Sequence, residues 1–219
     1  MTPLGFPELI ENGGVVMYPL LLCSVVSVAV VLERVWSLSL DVRRSRRLHQ
    51  TTTEAYEEGG LPEALAVCRR DDSSLAAVYR AILTTAEADG DTRTRIAQRK
   101  LAAAARDSKR YVWLLGTIGS LAPFIGLFGT VLGIIRSFEN MAAAGSGGFA
   151  VVAAGISEAL IATAGGLLVG VLAIFAYNAF MVRIGNHSAT QRERVDEFLL
   201  LLGETPVREG SVSRVGQSR

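Results

Sequence analysis

Two threonines are the residues of this chain best placed to do chemistry inside a membrane. Thr130 and Thr163 each lie in a long apolar stretch, and each belongs to a row of small or polar residues spaced as one face of a helix. The first row is Gly119, Pro123, Gly126, Thr130, Gly133 and Ser137, and the second is Ala159, Thr163, Gly166, Gly170, Ala173 and Tyr177. Hydroxyls in such rows can solvate a charge at bilayer depth, which is otherwise very costly to bury.

A simpler interpretation of the same rows stays open. Small residues at helical spacing allow two membrane helices to pack closely, and Gly126, Gly129, Gly133, Gly166 and Gly170 are predicted to do so. A threonine in a membrane helix often donates to a carbonyl of its own preceding turn. Two threonines at matched depth, each within a small-residue row, favour a polar pathway over packing alone.

The elements that must position these residues are transmembrane helices. Val15–Leu32, Tyr111–Ile135 and Ala159–Val182 contain no Asp, Glu, Lys, Arg or His. Each stretch has at least 18 residues, within the range of ~17–25 residues that cross a bilayer as a helix. The sequence therefore predicts an all-α integral membrane protein with three transmembrane helices.

The distribution of basic residues predicts the orientation. No Lys or Arg precedes Val15, fifteen lie between Glu33 and Arg110, one lies between the second and third helices, and six follow Val182. Because basic residues near helix ends stay in the cytoplasm, the N-terminus is expected outside and the C-terminus inside. The predicted segments are a periplasmic N-terminal segment at 1–14, transmembrane helix one at 15–36, a cytoplasmic helical loop at 37–110, helix two at 111–138, a periplasmic turn at 139–150, helix three at 151–182, a cytoplasmic helix at 183–202 and a disordered tail at 203–219.

Helices two and three are predicted to be long and to extend into the cytoplasm. A helix starting at Asp91 or Thr92 meets no breaker before Pro123, so we expect it to run unbroken into helix two. Helix three is expected to continue past Val182 to about Leu202, with Gly185 as only weak evidence for a break.

The position of the turn between helices two and three indicates which residues of the two helices lie at the same depth in the membrane. Thr130 and Thr163 lie about equally far from the glycine-rich segment at 145–148, so an antiparallel hairpin places them at one depth. The same reasoning places Glu158 beside Arg136, at the outer end of the hairpin. Glu158 is then either a costly, functional carboxylate or half of an ordinary surface ion pair with Arg136.

The sequence gives no sign of an enzyme, a cofactor or a metal site. His49 and His187 are far apart without metal-ligand spacing, and no glycine loop is followed by the Lys-Ser or Lys-Thr of a phosphate site. Cys23 and Cys68 lie in dissimilar surroundings, so no disulfide is expected. A net charge of +1 does not indicate a nucleic-acid partner, and no cleavable signal peptide is expected before the first helix.

Two long motifs resemble the MotA/TolQ/ExbB proton-channel family, and three helices with an outer N-terminus resemble its ExbB/TolQ branch. The motifs are PFIGLFGTVLGI at 123–134 and GISEALIATAGGL at 155–167, with further similarity at VMYP (16–19) and at Glu33-Arg34. The resemblance extends over about residues 7–202.

This resemblance implies a homopentamer in the bacterial inner membrane, in contact with lipid. Its central pore holds the helices of a dimeric ExbD- or TolR-like partner, whose aspartate carries the proton. Thr130, Thr163 and Glu158 match the family's proton-pathway positions. The implied function is a motor driven by the proton-motive force, which energises outer-membrane transport or envelope maintenance. The alternative is a structural or signalling scaffold in which the hairpin only packs.

Overall fold

The regular structure of this protein is helical throughout the described part of the chain. The computed structural model describes residues 14–85, 88–143 and 149–203. Its helices are α1 (Met17–Arg69), α2 (Ser74–Thr84), α3 (Gly90–Ser108), α4 (Val112–Ala143) and α5 (Phe149–Leu201). Three of them, α1, α4 and α5, are long and apolar enough to cross a membrane. The predicted all-α class with three membrane-crossing helices is confirmed at this level.

The structure divides into two compact units, and both α1 and α5 contribute to each of them. Among the described residues, the apolar unit comprises 14–35, 110–143 and 149–182, and the polar unit comprises 36–85, 88–109 and 183–203. In the apolar unit a small core forms around Leu20, Ile118 and Ala122. Large apolar side chains such as Phe124 and Phe175 are 68% and 73% exposed. Apolar side chains so widely exposed are suited to lipid.

The first long helix changes direction at the glycine pair that the sequence marks as a helix end. Gly60 has φ 70° and ψ −157°, a conformation open to glycine but strained for other residues. Pro62 follows as an early residue of the second arm, where its missing N–H costs little. The second arm ends at Arg69, and Ser73 then caps α2 by accepting a hydrogen bond from the Ala76 N–H.

The expectation that one helix runs from Asp91 past Pro123 is wrong. α3 ends at Ser108 and α4 begins at Val112, because Tyr111 adopts a left-handed φ of 64°. Basic residues at 106, 109 and 110 repel one another at helical spacing, which weakens a helix at this point. The guanidinium of Arg110 lies 4.7 Å from the centre of the Tyr111 ring, a cation–π contact that favours the turn. By contrast, α5 passes through Gly185 unbroken.

The polar unit is organised around α2, which is buried along most of its length. Leu75, Val78, Tyr79 and Ile82 have almost no exposed surface and pack in one core with residues of α1, α3 and α5 such as Phe198. α2 ends at Thr84. The hydroxyls of Thr84 and Thr85 donate to carbonyls of the preceding turn, which competes with further helix growth.

A buried polar cluster fixes the N-terminus of α2. The Asp41 carboxylate accepts hydrogen bonds from the Ser74 N–H at 2.8 Å, the Ser74 hydroxyl at 2.6 Å and His187 Nε2 at 2.8 Å. Gln191 lies beside Ser74 and Ser45 in the same cluster. Burial raises the pKa of Asp41, but the hydrogen bonds from His187 and Ser74 outweigh it, so its pKa lies below the ordinary 3.8. The Asp41 carboxylate, which belongs to α1, therefore caps the N-terminus of α2, where a helix favours negative charge.

We expect Asp41→Asn to destabilise the polar unit in a pH-dependent way. At neutral pH the loss should be about 2 kcal/mol, the scale of hydrogen bonds to a charged group. A carboxylate whose pKa is lower in the folded state stabilises above its unfolded value, 3.8, and loses that effect as pH falls through the folded value. Thermal unfolding followed by circular dichroism should therefore show the parent and variant midpoints converging in acid. A gap of equal size at neutral and acid pH would contradict this role.

Candidate functional site

The two small-residue rows face each other along the seam between α4 and α5. A Cβ built on Gly166 would come within 2.6 Å of the Ala122 carbonyl oxygen, and one built on Gly126 would come within 2.9 Å of the Ala162 carbonyl oxygen. Both neighbours are backbone atoms, which cannot rotate away. Glycine is therefore what lets the two backbones approach this closely.

The remaining glycines named from the sequence also lie at helix contacts. A Cβ on Gly133 would come within 2.6 Å of the Ala159 Cβ, and one on Gly170 within 2.8 Å of the Pro123 ring. Gly129 contacts Ala162 of α5 and also Val16, just before α1. The seam has the antiparallel register expected for two equal arms joined near residues 145–148.

Pro123 lies inside this seam and leaves one backbone acceptor without its usual helical donor. Proline has no N–H, so the Gly119 carbonyl, four residues earlier, receives no helical hydrogen bond from it. The Gly119 carbonyl oxygen lies 3.2 Å from the position that a Cβ on Gly170 would take, so it faces the backbone of α5 at Gly170. In a membrane helix such a freed carbonyl is tolerated where a neighbouring helix, a side chain or a water supplies a new partner, and this carbonyl faces α5.

The two threonine hydroxyls use different partners. Thr163 Oγ1 donates across the seam to the Gly126 carbonyl oxygen at 3.0 Å. Thr130 Oγ1 donates within its own helix to the Leu127 carbonyl oxygen at 2.6 Å. Both residues are half-buried. Since each hydroxyl proton is donated to a backbone carbonyl, the lone pairs of each hydroxyl oxygen stay available to a donor from another molecule. Each hydroxyl can also redirect its proton when a stronger acceptor approaches.

Glu158 and Arg136 line one small cavity at the end of the seam that lies toward the joint of the hairpin. The cavity has a volume of about 20 Å³ and is also lined by Gly14 and Val16. Glu158 Oε1 lies 3.0 Å and Arg136 Nη1 4.0 Å from the position of a Cβ on Gly14. Within the described ranges the two side chains share this cavity without forming an ion pair with each other.

Sequence reasoning missed the part that the start of α1 plays at this cavity. Gly14 has φ +66°, and its carbonyl accepts the first-turn hydrogen bond from the Met17 N–H. The Glu158 carboxylate therefore lies near the N-terminus of α1, where a helix favours negative charge. The Gly13-Gly14 pair before the first apolar stretch was the available signal for this close approach.

No acidic or basic side chain lies at depth in the three apolar stretches, and no metal-ligating cluster of three side chains occurs in the ranges that the structure describes. The chemistry available at the seam is therefore that of hydroxyls and backbone carbonyls. Such a site can solvate a charge brought by another molecule but holds no ionisable group of its own.

These features define a class of multi-pass membrane protein in which a glycine-lined helical hairpin carries a hydroxyl on each of its two helices. The family model described as the MotA/TolQ/ExbB proton channel family matches residues 70–193, which include Thr130, Thr163 and Glu158. The chain belongs to this family, and the predicted resemblance is confirmed.

Named relatives place the chain near the ExbB/TolQ branch. It is 35% identical over 173 residues to the biopolymer transport protein ExbB of Pseudomonas putida, covering 78% of this chain and 50% of the relative. It is 41% identical over 129 residues to ExbB of Salmonella typhimurium, covering 54% of this chain and 53% of the relative. It is also 46% identical over 88 residues to the Tol-Pal system protein TolQ of Pseudomonas aeruginosa, covering 40% and 38%. The chain thus spans about half the length of the first two relatives.

Proposed function

We propose that this chain is the pore-forming subunit of a motor in the bacterial inner membrane that is driven by the proton-motive force. The subunit assembles as a homopentamer around the membrane helices of an ExbD- or TolR-like dimer. The work done is outer-membrane transport or envelope maintenance. The observation that supports this proposal best is the pair of half-buried hydroxyls, one on each helix, along a seam without a charged group.

The mechanism follows from what the seam lacks. A proton relay at bilayer depth needs an ionisable group, so the partner has to bring the carboxylate that is protonated and deprotonated. Thr130 and Thr163 accept from the protonated acid and, by releasing their backbone acceptors, donate to the carboxylate. Each proton that crosses about 100 mV releases ~2.3 kcal/mol, which shifts the favoured contact of the partner from one subunit to the next.

The proposed topology follows the charge distribution. The N-terminus lies outside, the polar unit lies in the cytoplasm, and the C-terminus lies inside. α5 has 53 residues, far more than the ~20 that cross a bilayer, which supports an extension of helix three into the cytoplasm. Helix two itself does not continue into the cytoplasm as one helix. The cytoplasmic helix α3 precedes it in the chain, and the turn at Tyr111 separates the two.

Co-purification with the genetic neighbour tests the proposal directly. A gene for a single-span protein with an aspartate in its apolar segment should lie beside this one, and its product should co-purify in a ring of five copies of this chain. Its helices should fill the ring centre in a structure of the complex. A ring centre filled only by lipid in the presence of that partner would contradict the proposal.

One observation favours the alternative of a packing scaffold. All five seam glycines lie at helix contacts, so the seam is explained by packing even without a pathway. The alternative predicts that the hydroxyls can be removed without loss of function as long as the seam is kept. The motor proposal predicts the opposite.

Glu158→Gln and Arg136→Gln should have unequal effects. If Glu158 belongs to the proton pathway, its neutral variant should lose most proton-driven activity, since the neutral amide cannot bind and release a proton. Arg136 is exposed and forms no ion pair with Glu158, so its variant should retain most activity. Growth that depends on energised uptake or on envelope integrity measures both. Equal and mild losses would support a surface role for the two residues instead.

A further inference from the structure

The start of α1 and the outer part of α5 pack on neighbouring turns of α4. Val16, which is buried just before α1, has its Cγ1 3.2 Å from the position of a Cβ on Gly129. Four residues further along α4, the Ala159 Cβ lies 2.6 Å from the position of a Cβ on Gly133. Because both contacts use the same face of α4, the residues that precede Val16 and Ala159 are held close to each other.

Gly14 leaves open the space that the Glu158 carboxylate occupies. Glu158 Oε1 lies 3.0 Å from the position of a Cβ on Gly14, whereas an ordinary contact of a Cβ atom begins at 3.4 Å. Glu158 is half-buried, and in the described part of the chain no hydrogen bond or ion pair holds its carboxylate. The shape of the cavity therefore determines where this carboxylate lies, and Gly14 is one of its walls.

Two independent features of position 14 require glycine. The first is the backbone, because φ is +66° and a side chain is strained in that conformation. The second is space, because a Cβ would meet the end of the Glu158 side chain. That end is flexible, so an added methyl group would turn the carboxylate away and would not force α1 off α4. Substitution should therefore move a charge while the fold is kept.

We infer that Gly14 is a positioning residue, which keeps the Glu158 carboxylate in the cavity beside the N-terminus of α1. This inference rests on the proposed function, in which Glu158 belongs to the proton pathway, and adds the residue that places it. The N-terminus of a helix favours negative charge, and Arg136 Nη1 lies 4.0 Å from the same Cβ position. Proton transfer needs groups within about 2.6–3.2 Å of each other, so a small displacement of the carboxylate interrupts it.

Gly14→Ala should lower proton-driven activity by roughly tenfold to a hundredfold, the scale of a misplaced reacting group, while the complex still assembles. Gly203→Ala is the matched control. Gly203 has φ +76° and nothing within 4 Å of its Cβ position, so its variant has the same backbone strain without a neighbour to displace. It should keep nearly the parent activity. Growth that depends on energised uptake or envelope integrity is measured together with the amount of complex, and equal activity of the two variants would contradict the inference.

A shorter acid at position 158 separates the contact from the strain. Aspartate has one methylene group fewer, which withdraws the carboxylate from Gly14. Gly14→Ala should therefore reduce activity by a much smaller factor in the Glu158→Asp background than in the parent. Backbone strain at position 14 is the same in both backgrounds and cannot produce such a difference. The same factor in both backgrounds would count against a positioning role.

Chemical modification locates the carboxylate without a functional assay. The assembled protein in nanodiscs is treated with dicyclohexylcarbodiimide, which reacts with carboxyl groups, and the modified positions are quantified by mass spectrometry. Glu139, an exposed acid of α4, is the internal reference. The ratio of modified Glu158 to modified Glu139 should rise severalfold in Gly14→Ala, because the displaced carboxylate leaves the cavity, and should keep its parent value in Gly203→Ala. A parent value in Gly14→Ala would overturn the inference even if activity fell.

The proposed function and this inference fail through different results. Full activity of Glu158→Gln would remove Glu158 from the proton pathway, and the inference would fail with it. An inactive Glu158→Gln, combined with parent activity and a parent modification ratio in Gly14→Ala, would refute the inference alone and leave the proposed function standing.

Discussion

Thr130→Val and Thr163→Val together should abolish proton-driven work while leaving the assembled protein in the membrane. Valine has nearly the shape of threonine, so the seam keeps its packing, but both hydroxyls that could solvate a partner carboxylate are gone. Loss of a preorganised donor to a changing charge costs on the order of a hundredfold in rate. The activity to measure is uptake or envelope integrity that depends on the proton-motive force. The amount of assembled complex should be measured alongside it.

The single variants should differ in their effect on stability. Thr163→Val also removes a hydrogen bond that joins α4 to α5, from its hydroxyl to the Gly126 carbonyl. A hydrogen bond between membrane helices contributes about 0.6 kcal/mol on average, so a modest loss of thermal stability is expected. Thr130→Val loses only a bond within its own helix and should leave stability almost unchanged. Both single variants should lose activity by a similar factor.

Thr117→Val is the matched control. Thr117 is on the same helix, is exposed, and donates to the Trp113 carbonyl of its own helix at 3.1 Å, as Thr130 does to Leu127. It does not belong to the row that faces α5. If Thr117→Val is as inactive as the double variant, the loss reflects a general need for helix hydroxyls. If the double variant works normally, the polar-pathway proposal fails and the packing scaffold is favoured.

The predictable features of the fold depend on local pattern and on chain geometry. Uncharged stretches with enough residues to cross a bilayer as a helix are visible in the sequence itself, and so are two rows of small residues with the helical period. The register of the hairpin followed from equal arm lengths, and the contacts of Gly133 with Ala159 and of Gly170 with Pro123 agree with it. Gly60 ends the first arm of α1, and Ser73 caps α2, as is typical of these residue types.

The features that escaped prediction depend on contacts between residues far apart in sequence. The ring of Tyr111, at the turn that ends α3, meets the guanidinium of Arg34 from the first apolar helix at 5.9 Å, a contact without a sequence signature. Asp41 meets His187 across 146 positions of the chain, and His49 meets Glu197 across 148. Single-sequence patterns contain no information on such pairs. The same limit applies to Glu158, whose neighbour Gly14 lies at the start of another helix.

Gly166→Ala should prevent normal assembly of the hairpin. The new methyl would lie 2.6 Å from the Ala122 carbonyl oxygen and 2.9 Å from the Gly126 Cα, and neither atom can move without shifting α4. Overpacking of this kind costs about 1–3 kcal/mol or more. Separation of the helices would also stretch the hydrogen bond from Thr163 to Gly126. The amount of folded complex extracted from membranes and its thermal midpoint should both fall.

Gly165→Ala, the neighbouring position, separates this steric effect from the general cost of changing a glycine. A Cβ there would meet the flexible end of Met17 at 3.8 Å and a methyl group of Leu20 at 3.9 Å, both ordinary contacts. The two variants add the same methyl group to the same turn of α5, and only one adds it to the seam. Alanine also favours a helix over glycine by about 1 kcal/mol, so Gly165→Ala should be neutral or slightly stabilising. If both variants assembled equally well, close backbone approach would not be what holds α4 to α5, and the hydroxyl positions inferred from that approach would have to be reconsidered.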